Sequence, residues 1–325
     1  MNAVPVAEIV RNGFVEGHHY GSVVALDAEG SPVWSVGDAE VPVLPRSCNK
    51  PIQALGMVRL GLDLPPDLLA LACASHSGEP FHIEGVRRIL AGAGLGESDL
   101  QTPPDYPLDD AARETLIRAG GERSPVLMNC SGKHAAMLAT CVRNGWPIDS
   151  YRDAGHPLQQ AIAATFADLT GEPIAVTAVD GCGAPLFSTS LVGLARAFRR
   201  IALGVSRTGT IDADAARIAD AIRAHPAFVS GTTRDELALL TAIPGAIGKA
   251  GAEGCYAVAL PDGRSFALKT DDGAARVRPV LMAEALRRAG VLEEAGVDAE
   301  AVRRTGVVEL LGGGRRVGEI RATLS

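Results

Sequence analysis

Pro45-Arg46-Ser47-Cys48-Asn49-Lys50-Pro51 sets a hydroxyl and an amine three residues apart at the start of an apolar run. Ile52, Leu55, Met57, Val58, Leu60 and Leu62 follow at roughly helical spacing, which predicts an amphipathic helix packed on a core. Residues i and i+3 of a helix share a face, so Ser47 and Lys50 would project side by side. That pairing suits nucleophilic catalysis. Serine is a weak nucleophile near neutrality and needs a neighbour to take its proton, which an amine does once burial or a nearby cation lowers its pKa. Arg46 supplies such a cation, and a helix N-terminus favours a developing oxyanion. The plainer reading of a serine here is a helix cap. Pro51 has no N–H to offer the Ser47 carbonyl, so a distorted first turn is expected.

Other polar blocks interrupt apolar segments. Ala74-Ser75-His76-Ser77-Gly78-Glu79-Pro80 follows the apolar residues 68–73 and reads either as a loop facing a pocket or as the cap of a helix over 81–91, with Ser77 or Glu79 in the cap. Asn129-Cys130-Ser131-Gly132-Lys133-His134 leads into a helical run, and Cys130, Lys133 and His134 would share one side of its start. Asp180-Gly181-Cys182-Gly183 is a glycine-rich turn after a strand-like run. Two cysteines in separate polar turns suit either a thiolate metal site or ordinary buried thiols; zinc normally takes four ligands, and no third cysteine has fixed spacing. Residues 227–235 read as a loop, with Asp235 capping a helix over 236–242. Residues 245–254 are mostly small, which lets backbone approach a ligand closely. Lys249 is the only cation there, and its plain reading is a surface lysine in a flexible loop.

At 325 residues the chain is long enough to bury a substantial core, and with 47% hydrophobic but only 4% aromatic residues that core must be aliphatic. A net charge of −7 and the lack of a basic stripe give no reason to expect nucleic acid or an anionic membrane as partner. No signal-like leader or long apolar span is visible, so a cytoplasmic location is the expectation, with the six cysteines as thiols or metal ligands.

These residues need a scaffold. Short β-prone runs at 4–10, 19–27 and 32–36, broken by Asn12-Gly13 and Glu29-Gly30, predict antiparallel strands; further strands are predicted at 255–260, 265–269, 307–311 and 315–322. Helical patterns fill the middle, at 157–170, 186–203 and 213–224, and return at 274–289 and 293–304. Strands at both termini around a helical middle predict one domain over residues 1–325, of α+β or layered αβα type, whose antiparallel sheet is built from N- and C-terminal strands.

The ordered blocks Arg46-Ser47-x-x-Lys50-Pro51, Cys73-Ala74-Ser75-His76-Ser77-Gly78-Glu79, Asn129-Cys130-Ser131-Gly132-Lys133-His134, Asp180-Gly181-Cys182 and Gly248-Lys249-x-Gly251-Ala252 together resemble the rhizobial-type L-asparaginases of the asparaginase II family. The resemblance implies a fold like that of serine β-lactamases and glutaminases, a homodimer, and hydrolysis of L-asparagine to L-aspartate and ammonia by two Ser-Lys pairs. Ser47 with Lys50 would be one pair and Ser75 with Lys249 the other. It also implies one zinc ion held by Cys130, Lys133 and Cys182, with Asp180 beside it. Water could complete a tetrahedral shell. Ser47 is the preferred nucleophile and Ser75 its competitor. Two nearby lysines depress each other's pKa, so that one is neutral near about pH 8 and acts as base. Arg46, Asp180 and Arg234 are the candidates for binding the substrate's charged groups. The alternatives are a penicillin-recognising or other Ser-x-x-Lys amide hydrolase, with Lys269-Thr270-Asp271 as its strand element, or a zinc-stabilised binding protein without activity. Aspartate in place of glycine in that element, and no clear Ser-x-Asn, argue against the penicillin-recognising class.

Overall fold

The computed structural model describes residues 3–324. Among these residues ten strands come in groups between the helices: β1 (Val4–Arg11), β2 (Phe14–Leu26), β3 (Pro32–Val36), β4 (Thr177–Val179), β5 (Pro185–Phe187), β6 (Ile247–Ala250), β7 (Cys255–Ala259), β8 (Ser265–Thr270), β9 (Glu309–Gly312) and β10 (Arg315–Ala322). The main sheet runs β6-β7-β8-β2-β1-β10-β9, every neighbour antiparallel, and joins N-terminal to C-terminal strands as the sequence predicts. β2 is the axis. Its first half pairs with β1 through the Asn12-Gly13 turn, both residues at positive φ, and its second half lies between β8 and β3.

Every residue of β6 and β7 is buried, so both faces are covered there. The helices Leu191–Leu203 and Arg278–Arg288 both pack on the sheet. Beyond the first of them Lys50–Arg59 packs against the helices Pro66–Ala72, Ser131–Asn144, Pro157–Thr170 and Ala213–Ala224. That segment is not the amphipathic helix its apolar spacing suggests: Lys50 through Val58 are all buried. Its second side is lined by Gln53, Ala54 and Gly56, and a Cβ on Gly56 would come within 3.2 Å of the Ile162 backbone, so close helix contact replaces solvent. An alanine-rich chain with few aromatics packs in this way.

Two further differences bear on the site. The small-residue stretch expected to be a loop contains strand β6, placing Lys249 in the sheet with no exposed surface. The helix expected from residue 186 begins at Leu191, because Pro185–Phe187 pairs with β4. Among the described residues no helix is long and apolar enough to cross a membrane.

Candidate active site

Arg46–Asn49 is one 3-10 turn that runs directly into the helix Lys50–Arg59. Pro51 gives the Ser47 carbonyl no partner, and the Lys50 N–H takes its place with an i+3 bond, which is the distorted first turn the proline foretells. Arg46 has φ 50°, a left-handed conformation costing a non-glycine residue about 1–2 kcal/mol. Tertiary bonds hold it there: Arg46 Nε donates to Asp180 Oδ1 at 2.8 Å, and the neighbouring Cys48 thiol donates to the Lys249 carbonyl at 3.0 Å. A Cβ on Gly251 would lie 2.9 Å from the Pro45 carbonyl oxygen, so glycine lets the end of β6 pass this turn. Ser47 retains 9% of its surface, and its hydroxyl makes no hydrogen bond among the described residues.

Lys50 is fully buried, and its Nζ donates to Ala74 O at 2.6 Å, Ser75 Oγ at 2.9 Å and Cys130 Sγ at 3.0 Å. The lysine three residues after Ser47 therefore bonds the other serine. A side chain at a helix start leans back past the N-terminus, and four methylenes carry the amine across to the 74–75 turn. That turn is fixed by Ser75 N–H to Val229 O and His76 N–H to Asn129 O, which draw the second and third sequence blocks together.

Lys249, expected beside Ser75, instead donates to Glu236 Oε1 and to Ala250 O, each at 2.6 Å. Burial, helped by Arg234 and Lys50, drives its pKa down to about 8, with Glu236 opposing. Burial alone would raise the Glu236 carboxyl; Arg234, Lys249 and Arg278 outweigh it and hold that group at about 2. Glu236 is fully buried, also accepts the Ala250 N–H at 2.8 Å, and lies 2.6 Å from Arg234 in an ion pair. Sequence reading missed it, taking Glu236 as an ordinary first-turn residue. Its only signal was the charged run Arg234-Asp235-Glu236. Asp235 does not cap the helix; it pairs with Arg278.

The candidate substrate-binding groups are largely engaged with protein. Arg46 and Asp180 neutralise each other, and Arg234 donates to Ser75 O at 2.8 Å while facing Glu236. Glu79 stands at the N-cap position of the following helix, but its side chain turns away to strap the 230–232 loop through Thr232, as Ser77 does through Ser230 O. Lys269 lies on β8 and donates to Glu253 O, so the fully buried strand lysine is Lys249 on β6.

Cys130, Lys133 and His134 line one side of the start of the helix Ser131–Asn144 and meet Cys182 there, all buried. Lys133 Nζ donates to Cys182 Sγ at 3.1 Å. A bond from the Cys130 thiol, against burial and with Lys133 in support, holds Cys182 far below an ordinary thiol. Burial opposes the Lys133 charge, but Cys182, Cys130 and Asp180 outweigh it and raise its pKa. Among the described residues no three His, Cys, Asp or Glu side chains form a metal cluster, so a metal here would need the lysine.

Residues 7–322 match the family model described as L-asparaginase II. The chain belongs to the L-asparaginase II family. Among solved structures, similar folds include a β-lactamase from Mycobacterium bovis (15% identity, 82% of this chain and 94% of that one, TM-score 0.45). A Bacillus glutaminase is similar over 83% of this chain and 91% of its own (10% identity, TM-score 0.39). A Bacillus subtilis glutaminase in covalent complex with 5-oxo-L-norleucine is similar over 87% and 92% (12% identity, TM-score 0.40). A search among curated proteins finds no match.

The donor set of this L-asparaginase fits the zinc that its family resemblance implies. Two buried cysteine sulfurs interact, Cys182 with its thiol pKa lowered, and the amine 3.1 Å from Cys182 becomes a ligand on losing its proton.

Proposed function

We propose that this L-asparaginase cleaves the side-chain amide of L-asparagine through a serine acyl-enzyme, with Ser47 as nucleophile. The observation that carries the reading is the fully buried Lys50 amine 2.9 Å from Ser75 Oγ, one helical turn from a serine whose own hydroxyl is unengaged on a strained turn. Ser47 Oγ bonds to the amide carbon and gives its proton to Lys249, which at about 8 is neutral in a substantial fraction of molecules. The Ser75 hydroxyl, held by Lys50, passes a proton to the leaving nitrogen and is resupplied from the lysine. Ammonia departs. Water then adds to the β-aspartyl ester, its proton passing through Ser75 to the now neutral Lys50, while Lys249 returns its proton to the Ser47 oxygen, which leaves as a hydroxyl with L-aspartate released. The N-terminus of the helix Lys50–Arg59 favours the oxyanion.

Arg46 and Asp180 would exchange part of their mutual pairing for the substrate's carboxylate and ammonium, with Arg234 as a further cation. Cys130, Lys133 and Cys182 would hold zinc, which when bound supplies a fixed positive charge that ties the two cysteine turns together. The resemblance further supports a cytoplasmic homodimer as the working form.

Ser47→Ala tests the mechanism. Loss of the nucleophile should cost at least about a thousandfold in ammonia release and abolish an acyl adduct seen by mass spectrometry of quenched enzyme. Retention of more than about a tenth of turnover removes Ser47 from the role. Running L-glutamine beside L-asparagine ranks the two amides.

A further inference from the structure

Glu236 is a fully buried carboxylate at the start of the helix Asp235–Ala242, away from the serines in sequence and absent from every motif block. It meets two cations and one backbone amide. Oε1 accepts from Lys249 Nζ at 2.6 Å and from Ala250 N–H at 2.8 Å, and Oε2 lies 2.6 Å from Arg234 NH2. Arg234 NH1 in turn donates to the Ser75 carbonyl at 2.8 Å. One carboxylate thus connects the lysine of β6 with the turn that carries Ser75. Burying a carboxylate is costly unless it is paired and hydrogen-bonded, and a helix of this kind needs no charge at its second residue. The charge is explained by what it holds.

We propose that Glu236 is a positioning residue for amide hydrolysis, fixing the Lys249 amine and, through Arg234, locking the Ser75 turn to the same anchor. This rests on the reading of Lys249 as the proton acceptor. Two of the Lys249 hydrogens are taken by Glu236 and Ala250 O, which leaves one direction on its nitrogen for the reacting serine. Without the carboxylate the amine has no fixed bearing. Arg234 would lose its counter-ion as well.

The charged and titratable neighbours are few enough to name. Lys249 is faced by Glu236, Arg234, Lys50 and the Cys73 thiol, with Cys48 on its backbone carbonyl. Glu236 is faced by Arg234, Lys249 and Arg278, and the Tyr256 hydroxyl feels both Asp235 and Glu236. Glu236 is the group that opposes the depression of Lys249, so its removal favours the neutral amine further.

The test compares wild type, Glu236→Gln and Glu236→Asp in kcat, KM and the pH profile of kcat with L-asparagine. Glu236→Gln keeps the shape but not the charge, and plateau kcat should fall about 100-fold for a misplaced base, with KM within about threefold. Its rising limb should also move to lower pH by about one unit or more, because an anion has left the side of a buried amine. A folded Glu236→Gln enzyme whose limb stays at the wild-type position overturns the proposal. Should that variant not fold, Glu236→Asp decides: the charge remains but is drawn back by one methylene, so the limb stays and kcat falls about tenfold, whereas wild-type kcat overturns the proposal. Lys249→Met separates this from the mechanism itself. Wild-type activity in that variant defeats the reading of Lys249 as base. If Lys249→Met is impaired, adding Glu236→Gln should cost less than about threefold more, and full additivity shows that Glu236 does not act through Lys249.

Discussion

The turnover number should rise about tenfold between pH 7 and pH 9 and level off near the upper end, because the base is a lysine held at about 8. At that value about one amine in eleven is neutral at pH 7, half at pH 8 and about ten in eleven at pH 9. An exposed lysine, near 10.4, would be neutral in fewer than about one molecule in a thousand at pH 7, and the rate would climb tenfold per unit without levelling by pH 9. The plateau is therefore the diagnostic. Two neighbours keep one charge state across this window: burial pushes the Cys73 thiol up to about 12, and Glu236 stays ionised at about 2. The assay is ammonia release at saturating L-asparagine and constant ionic strength. It reports kcat, so titration of the free substrate's amino group does not enter. A flat profile from pH 6.5 to 9, or a log-linear rise with no plateau, refutes the assignment. So does a Lys249→Met enzyme that keeps the wild-type profile.

Ser75→Ala should lower the plateau without moving the limb near pH 8, since it removes a partner of Lys50 and none of Lys249; the same pH series checks it. His82 is held at about 4 by burial, so the unfolded chain binds its proton first; the stability linked to it is complete above about pH 6.5 and falls by about 3 kcal/mol as pH drops to about 4. Urea midpoints at pH 7 and 4.5 for wild type and His82→Gln should show the variant losing less on acidification. Cys182→Ser should abolish one-to-one zinc uptake measured by elemental analysis. In the wild type zinc affinity should rise with pH, because Lys133 must shed its proton to bind.

The sheet was legible because its signals are local. Asn12-Gly13 and Pro261-Asp262-Gly263 are turn sequences flanked by β-prone residues, and β1, β3, β7, β8 and β10 lie within a residue or two of where those patterns place them. Strand β6 was not legible. Ile247-Gly248-Lys249-Ala250 has little β propensity of its own, and it becomes a strand by pairing with β7 in a site buried on both faces. The same limit hid the burial of the helix Lys50–Arg59, whose Gln53, Ala54 and Gly56 look like a solvent side until the helix Pro157–Thr170 closes over them.

For the site, sequence supplied the cast and not the pairing. Ser47, Lys50, Ser75 and Lys249 stand out by type and motif, but which amine meets which hydroxyl depends on how turns 25 or more residues apart are stacked. Counting acceptors then separates the two lysines in a way composition never could. An ammonium has three hydrogens to place, a neutral amine only two and a lone pair. Lys50 has three acceptors, Ala74 O, Ser75 Oγ and Cys130 Sγ, enough for the charged form. Lys249 has two, Glu236 and Ala250 O, and so accommodates the neutral form with no buried hydrogen left over. The lysine three residues from the preferred nucleophile is thus built to donate, and the distant one on the sheet is built to accept. A helical i, i+3 pattern suggests the opposite division, because it shows proximity along one element and says nothing about the partners that three other elements bring.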